Sequence, residues 1–239
     1  MEGYSYLLYL FGFLPSIIWL LFYLRKDKHP ESNRMVLKIF IYGMISAIPA
    51  AFLEKKFQAV VRPLDTLIPQ LVGLSIILVS ALIEELSKYL MAWLGIFRSK
   101  ELDEPIDIML YMIIGALGFA SVENILVLAK FQNILITSKA LEIIFYRFVS
   151  ATILHALCSG ALGYFLVLSF CHIKKTKYIA FLGLGIVVGL HGLYNWSIIE
   201  LNDRNKFLLP ILILIILGSL VGYWFRKIKN LKSACDISR

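Results

Sequence analysis

Residues 68–96 read IPQLVGLSIILVSALIEELSKYLMAWLGI, and this stretch decides the fold. It exceeds the about 20 apolar residues that a helix needs to cross a ~30 Å hydrocarbon core. Near its middle it carries Glu84-Glu85-x-x-Lys88. An ionisable group in hydrocarbon costs at least ~2.5–3.5 kcal/mol, so its retention calls for a partner or a function. Lys88 lies one turn after Glu84 on the same helix face. Adjacent carboxylates repel, and Lys88 can neutralise one of them. The other is suited to act on a water as general base. The structural alternative is a neutral Glu–Lys pair that locks two helices together.

Three further apolar stretches are interrupted in the same way. One holds Phe119-x-x-x-Glu123-Asn124, one a lone His155, and one His191-x-x-x-Asn195. Single buried histidines are ordinary core residues, and Gly115, Gly118 and Ala120 beside Glu123 read as helix packing. Four ionisable constellations on four separate stretches instead suggest convergence on one polar site within the bilayer.

Composition agrees with a membrane fold. Of 239 residues 59% are hydrophobic and 17% charged, with mean hydropathy +0.79. Soluble domains run nearer ~45–50% apolar. Seven spans are expected, at Tyr4–Leu24, Val36–Leu53, Ile68–Ile96, Ile106–Ala129, Phe148–Phe170, Tyr178–Ile199 and Phe207–Phe225. Lipid admits only helices or closed barrels, and runs of this length exclude barrel strands. The expected fold is all-α, a polytopic membrane bundle in a single integral membrane domain over residues 1–239. Its motif-bearing core is 68–200, and 4–24, 36–53 and 207–225 are peripheral helices. Residues 130–147 read either as an amphipathic helix on the outer interface or as an ordinary loop.

The net charge of +8 reflects cations in short loops and the tail, a pattern of membrane topology rather than of nucleic-acid binding. Fifteen Lys and Arg fall in 25–38, 97–105, 171–177 and the tail from 226, against eight in the opposite loops. This places the N-terminus outside and the C-terminus in the cytoplasm. The first apolar run has no cations before it, unlike a cleavable signal. Cys158, Cys171 and Cys235 have no paired spacing and read as free thiols. His29 and His172 lie at or beyond helix ends and receive no role.

Depth along the helices tests convergence. At ~1.5 Å per residue, Glu123, His155 and His191 lie ~9–12 Å below the outer surface. Glu84 lies ~24 Å from the start of its long span and joins them only if that span tilts or begins above the lipid.

The ordered set resembles the PrsW family of intramembrane proteases. It runs from Glu84-Glu85-x-x-Lys88, through Asp107-x-x-x-Tyr111-x-x-x-Gly115-x-x-Gly118-Phe119-Ala120-x-x-Glu123-Asn124 and Arg147 with His155, to His191-Gly192-Leu193-Tyr194-Asn195. That family is related to the CAAX prenyl endopeptidases and their bacterial immunity-type relatives, which typically carry E-E-x-x-x-R and F-x-x-x-H. Here the cation, Lys88, comes one position earlier, and Glu123 stands where a histidine would be. The resemblance implies a multi-pass bacterial plasma-membrane enzyme. Its substrate would be a single-span membrane protein such as an anti-sigma factor, first cut outside or near the membrane surface.

By the same resemblance Glu84 activates water and Glu123 positions that water or shuttles its proton. His191 and Asn195 stabilise the oxyanion, and His155 is a second electrophile. Glu85 and Lys88 tune the pair, with Phe119, Asn124 and Arg147 supporting. No cofactor is favoured on this reading. The alternative is a zinc site built from Glu84, Glu123, His155 and His191. A proton-coupled transporter and a non-enzymatic immunity or chaperone-like protein on the same scaffold are the rival classes.

Overall fold

The computed structural model describes residues 2–25, 32–97, 99, 101–129, 138–171, 176–201 and 205–229. The described residues form helices and no strand. These are α1 (Glu2–Leu24), α2 (Asn33–Val61), α3 (Pro69–Gly95), α4 (Pro105–Ala129), α5 (Ser138–Val149), α6 (Ala151–Cys171), α7 (Thr176–Glu200) and α8 (Asn205–Lys229), with a 3₁₀ turn at Arg62–Leu64. Six helices are long and apolar enough to span a membrane, and α1 adds a shorter apolar run, Leu10–Leu24. The chain is therefore an all-α, multi-pass membrane protein.

Local chemistry sets the helix starts. Pro69 opens α3 at a position where the absent N–H costs nothing. Pro105 opens α4, and Asp107 Oδ2 accepts the backbone N–H groups of Asp103 and Glu104 at 3.2 and 2.7 Å. The Ser32 side chain caps α2 by accepting from Met35 N.

Two boundaries differ from the sequence expectation. α2 continues beyond Leu53 to Val61. Residues such as Glu54, Lys55, Lys56 and Gln58 end the hydrophobic run but are good helix formers, so the helix outlasts it. The expected span Phe148–Phe170 lies within a longer candidate span, Glu142–Phe170, with a turn at Ser150 between α5 and α6. The segment read as 130–147 contains a real helix from Ser138, while its residues 130–137 lie outside the described set, as do His29, His172 and Cys235.

α4 is the central rod. Every residue from Pro105 to Ser121 is buried, so it has no lipid-facing stripe. α1, α2 and α6 pack on it, while α3, α7 and α8 complete the bundle through α2 and α6. The α2–α4 crossing depends on missing side chains. A Cβ on Gly43 would strike the Gly115 carbonyl, and one on Gly118 the Phe40 carbonyl. Only glycine permits that approach. The outer helices present apolar side chains outward, among them Ile48, Phe52, Trp93, Ile215 and Ile216. Cys158 is a buried free thiol.

Candidate active site

Four helices deliver ionisable side chains to one point. α3 brings Glu84, Glu85 and Lys88, α4 Glu123, α6 His155 and α7 His191. Glu85, Lys88, His155 and His191 are at most 2% exposed. Glu84 reaches the level of the histidines, because the long α3 carries it there.

Lys88 Nζ donates to Glu85 Oε1 at 2.7 Å and lies 2.8 Å from His155 Nδ1. It also sits 4.9 Å from the centre of the Phe119 ring, within cation–π reach. Glu85 Oε1 is shared with His191 Nδ1, also at 2.7 Å. The far nitrogen of His155, Nε2, meets Glu123 Oε2 at 2.6 Å. Each imidazole is thus oriented by a carboxylate on one nitrogen. The Phe119 ring lies 5.7 Å from His155, and the two imidazoles stand edge to face at 5.2 Å.

Glu84 differs from its neighbours. Its Oε2 is buried and has no hydrogen-bond partner. Three nitrogens surround that oxygen just beyond bonding distance: His155 Nδ1 at 3.7 Å, His191 Nε2 at 3.8 Å and Lys88 Nζ at 3.9 Å. With Nδ1–H of His191 donated to Glu85, Nε2 carries a lone pair toward Glu84. Two acceptors facing across such a gap call for a proton-bearing or cationic occupant between them. Charge makes the same demand. Among the described residues the carboxylates at 84, 85 and 123 pair with the cations Lys88 and Arg147, which leaves one negative charge over while the imidazoles are neutral.

The donor set fits a transition metal. Glu84, His155 and His191 offer ligand atoms within 4.8 Å of one another. Zinc bonds of ~2.0–2.2 Å put tetrahedral ligand atoms ~3.3–3.6 Å apart, near the 3.7 and 3.8 Å that separate Glu84 Oε2 from the two imidazole nitrogens. Carboxylate partners on the outer imidazole nitrogens are the usual support of such a site. Glu123, the fourth ligand expected from sequence, is instead engaged with the far side of His155. Lys88 competes for His155 Nδ1 and would have to turn fully to Glu85.

A second layer ties the cluster to the outer helix α5. Arg147 Nη2 pairs with Glu123 Oε1 at 3.1 Å, and its Nε donates to Asn124 Oδ1 at 2.5 Å. Asn124 Nδ2 in turn donates to the Gly12 carbonyl of α1 and to Thr152 Oγ1 of α6, both at 3.3 Å. Phe119, Asn124 and Arg147 therefore all join the site. Asn195 is half-buried, one turn beyond His191, and among the described residues it makes no hydrogen bond to the cluster. Sequence reasoning missed Thr152, the Gly12 carbonyl and Glu54, an α2 acid within electrostatic reach of Glu84. Only Glu54 left a signal, a charge just past an apolar run.

Comparisons with known proteins converge on one family. A family model described as "PrsW family intramembrane metalloprotease" matches residues 31–221. The chain is 25% identical to a Protease PrsW of Geobacillus kaustophilus, covering 95% of this chain and 92% of the relative. It is 28% identical to that of Oceanobacillus iheyensis over 85% and 88%. It is 27% identical to that of Bacillus subtilis over 93% and 94%. No solved structure matches the chain.

Proposed function

Because this chain belongs to the PrsW family of intramembrane metalloproteases, we propose that it cuts single-span membrane proteins with a water held at Glu84 between His155 and His191. The reading is carried by the buried, unpartnered Glu84 Oε2 ringed by two imidazoles from other helices. An anti-sigma factor is the substrate type that the family resemblance suggests. A cut near the outer surface follows from the expected depth of the cluster.

In the form favoured by the donor set, Glu84, His155 and His191 would hold zinc, which would supply Lewis acidity to activate water near neutral pH. Glu85 and Glu123 hold the far nitrogens of the imidazoles and so fix their orientation. Glu123 has a side chain 30% exposed, the most open carboxylate of the cluster. Its oxygens meet His155 Nε2 and Arg147, so it would act through the charge and orientation of that imidazole, across the ring from the water at Glu84. Asn195 is the candidate oxyanion donor, a role worth ~2.7–4 kcal/mol where it is filled.

A second form needs no metal, and the 2.8 Å contact of Lys88 with His155 Nδ1 favours it. There the ammonium occupies the lone pair that a metal would use, and Glu84 itself is the base.

The two forms separate on metal content read beside cleavage of a single-span reporter. In the zinc form, purified wild type carries one equivalent, Glu84→Gln loses metal and activity, and Glu123→Gln loses activity while keeping metal. Cleavage by metal-free protein would reject that form. Full cleavage by Glu84→Gln would reject both.

A further inference from the structure

The ordered set of motifs begins at Glu84, yet α1 touches the surroundings of the cluster at two points. The Gly12 carbonyl accepts Asn124 Nδ2 at 3.3 Å, and Trp19 Nε1 donates to the Phe148 carbonyl of α5 at 3.0 Å. Trp19 follows Gly12 by two helical turns, on the same face of α1. α1 approaches α4 closely there, since a Cβ on Gly12 would stand 2.4 Å from Ile125 Cγ1.

The Phe148 carbonyl is one that α5 cannot satisfy itself, because the last carbonyls of a helix have no intrahelical donor. Ser150 Oγ donates to that of Tyr146, and Trp19 reaches from another helix to that of Phe148. The indole also lies beside the Phe148 ring, with 5.8 Å between centroids. α5 has 12 residues, a length at which a helix depends on tertiary contacts for its stability. Its Arg147, next to Phe148, joins Glu123 to Asn124. Glu123 in turn meets His155 Nε2. The two contacts of α1 therefore hold both members of the Arg147–Asn124 pair.

We propose that Trp19 is a positioning residue of the reaction. Its indole N–H holds the end of α5, so that Arg147 keeps Glu123 on the far nitrogen of His155. This role rests on the reading of the cluster as the active site. A tryptophan that only fills space needs its rings alone. This one directs its single donor at a backbone group adjoining Arg147. Without that donor the end of α5 is free to shift, and small displacements of groups that aim a catalytic side chain slow the chemical step steeply.

The test is steady-state cleavage of the single-span reporter, per folded molecule, with two replacements at position 19. Trp19→Phe keeps an aromatic ring and removes the donor. Benzothienylalanine keeps both rings and puts sulfur where the N–H stood. Each should lower kcat ~10-fold with KM within about two-fold of wild type, as for groups that orient a ligand's partner. Tm should change by less than ~4 °C, the scale of one net hydrogen bond in a chain of this size. In an Arg147→Lys background neither replacement should lower kcat by more than about two-fold again, because both changes cut one path. Wild-type kcat in the benzothienylalanine protein, a loss carried by KM, or losses that multiply in the Arg147→Lys background overturn the proposal. Glu84→Gln is run alongside. Full cleavage by that variant would remove the active-site reading itself. Its inactivity beside a fully active position-19 variant overturns the role of Trp19 alone.

Discussion

The two halves of the α4–α6 pair follow opposite rules. Toward the start of α4 and the end of α6, Ile108, Met109, Met112, Ile113, Leu162 and Val167 belong to a buried hydrophobic core. Toward the other end the same two helices supply Glu123 and His155 to a buried ionic cluster. The apolar half is stabilised by close packing and tolerates shape-conserving change. The polar half is held by reciprocal pairing, in which each charge keeps another from being stranded in low dielectric. The first half is a packed scaffold, and the second holds a polar arrangement that packing alone would not favour.

Substitutions that exchange these rules should break the contrast. The largest effect is expected at Lys88→Met, which strands Glu85 with only His191 and should cost ~3–5 kcal/mol in thermal or denaturant unfolding. Adding Glu85→Met should recover much of that stability and none of the activity. Recovery of both would place the pair in the scaffold. In the apolar half, Ile113→Ala should cost ~2–5 kcal/mol through its cavity. Reporter cleavage per folded molecule should stay at the wild-type level, and a selective loss of cleavage would show that the halves are coupled. Gly118→Val tests the seam between α2 and α4, where the new side chain meets the Phe40 carbonyl. It should lower stability by ~1–3 kcal/mol without altering reporter cleavage per folded molecule. The smallest effect is expected at Arg147→Lys, which keeps the charge but loses the fork that joins Glu123 to Asn124. Its kcat should fall ~10-fold with little change in KM, as for other groups that orient a ligand's partner.

The same contrast explains what was legible in the sequence. The spans were readable because an apolar run must match the bilayer, and the ionisable residues stood out because hydrocarbon makes them costly. Tilt and pairing were not readable. Whether Glu84 reached the level of His155 depended on the packing of α3, which hydropathy does not encode. The bond from Asn124 to the Gly12 carbonyl left no trace, since every residue carries that carbonyl. Thr152 was equally silent, being a neutral residue common in packed helices. α2 outlasted its apolar run because helix propensity and hydropathy are separate properties, and Lys55 and Lys56 satisfy only the first.

The convergence of α3, α6 and α7 on one hydrolytic centre is tested most directly by cleavage of a single-span reporter in lipid bilayers. Wild type, Glu84→Gln and His191→Ala would be compared at equal amounts of folded protein. The account predicts that each substitution lowers cleavage by ~10²–10⁴-fold and that the double variant is scarcely worse than either alone. Losses that multiply in the double variant, or cleavage within a few-fold of wild type, would show that the two residues do not serve one centre.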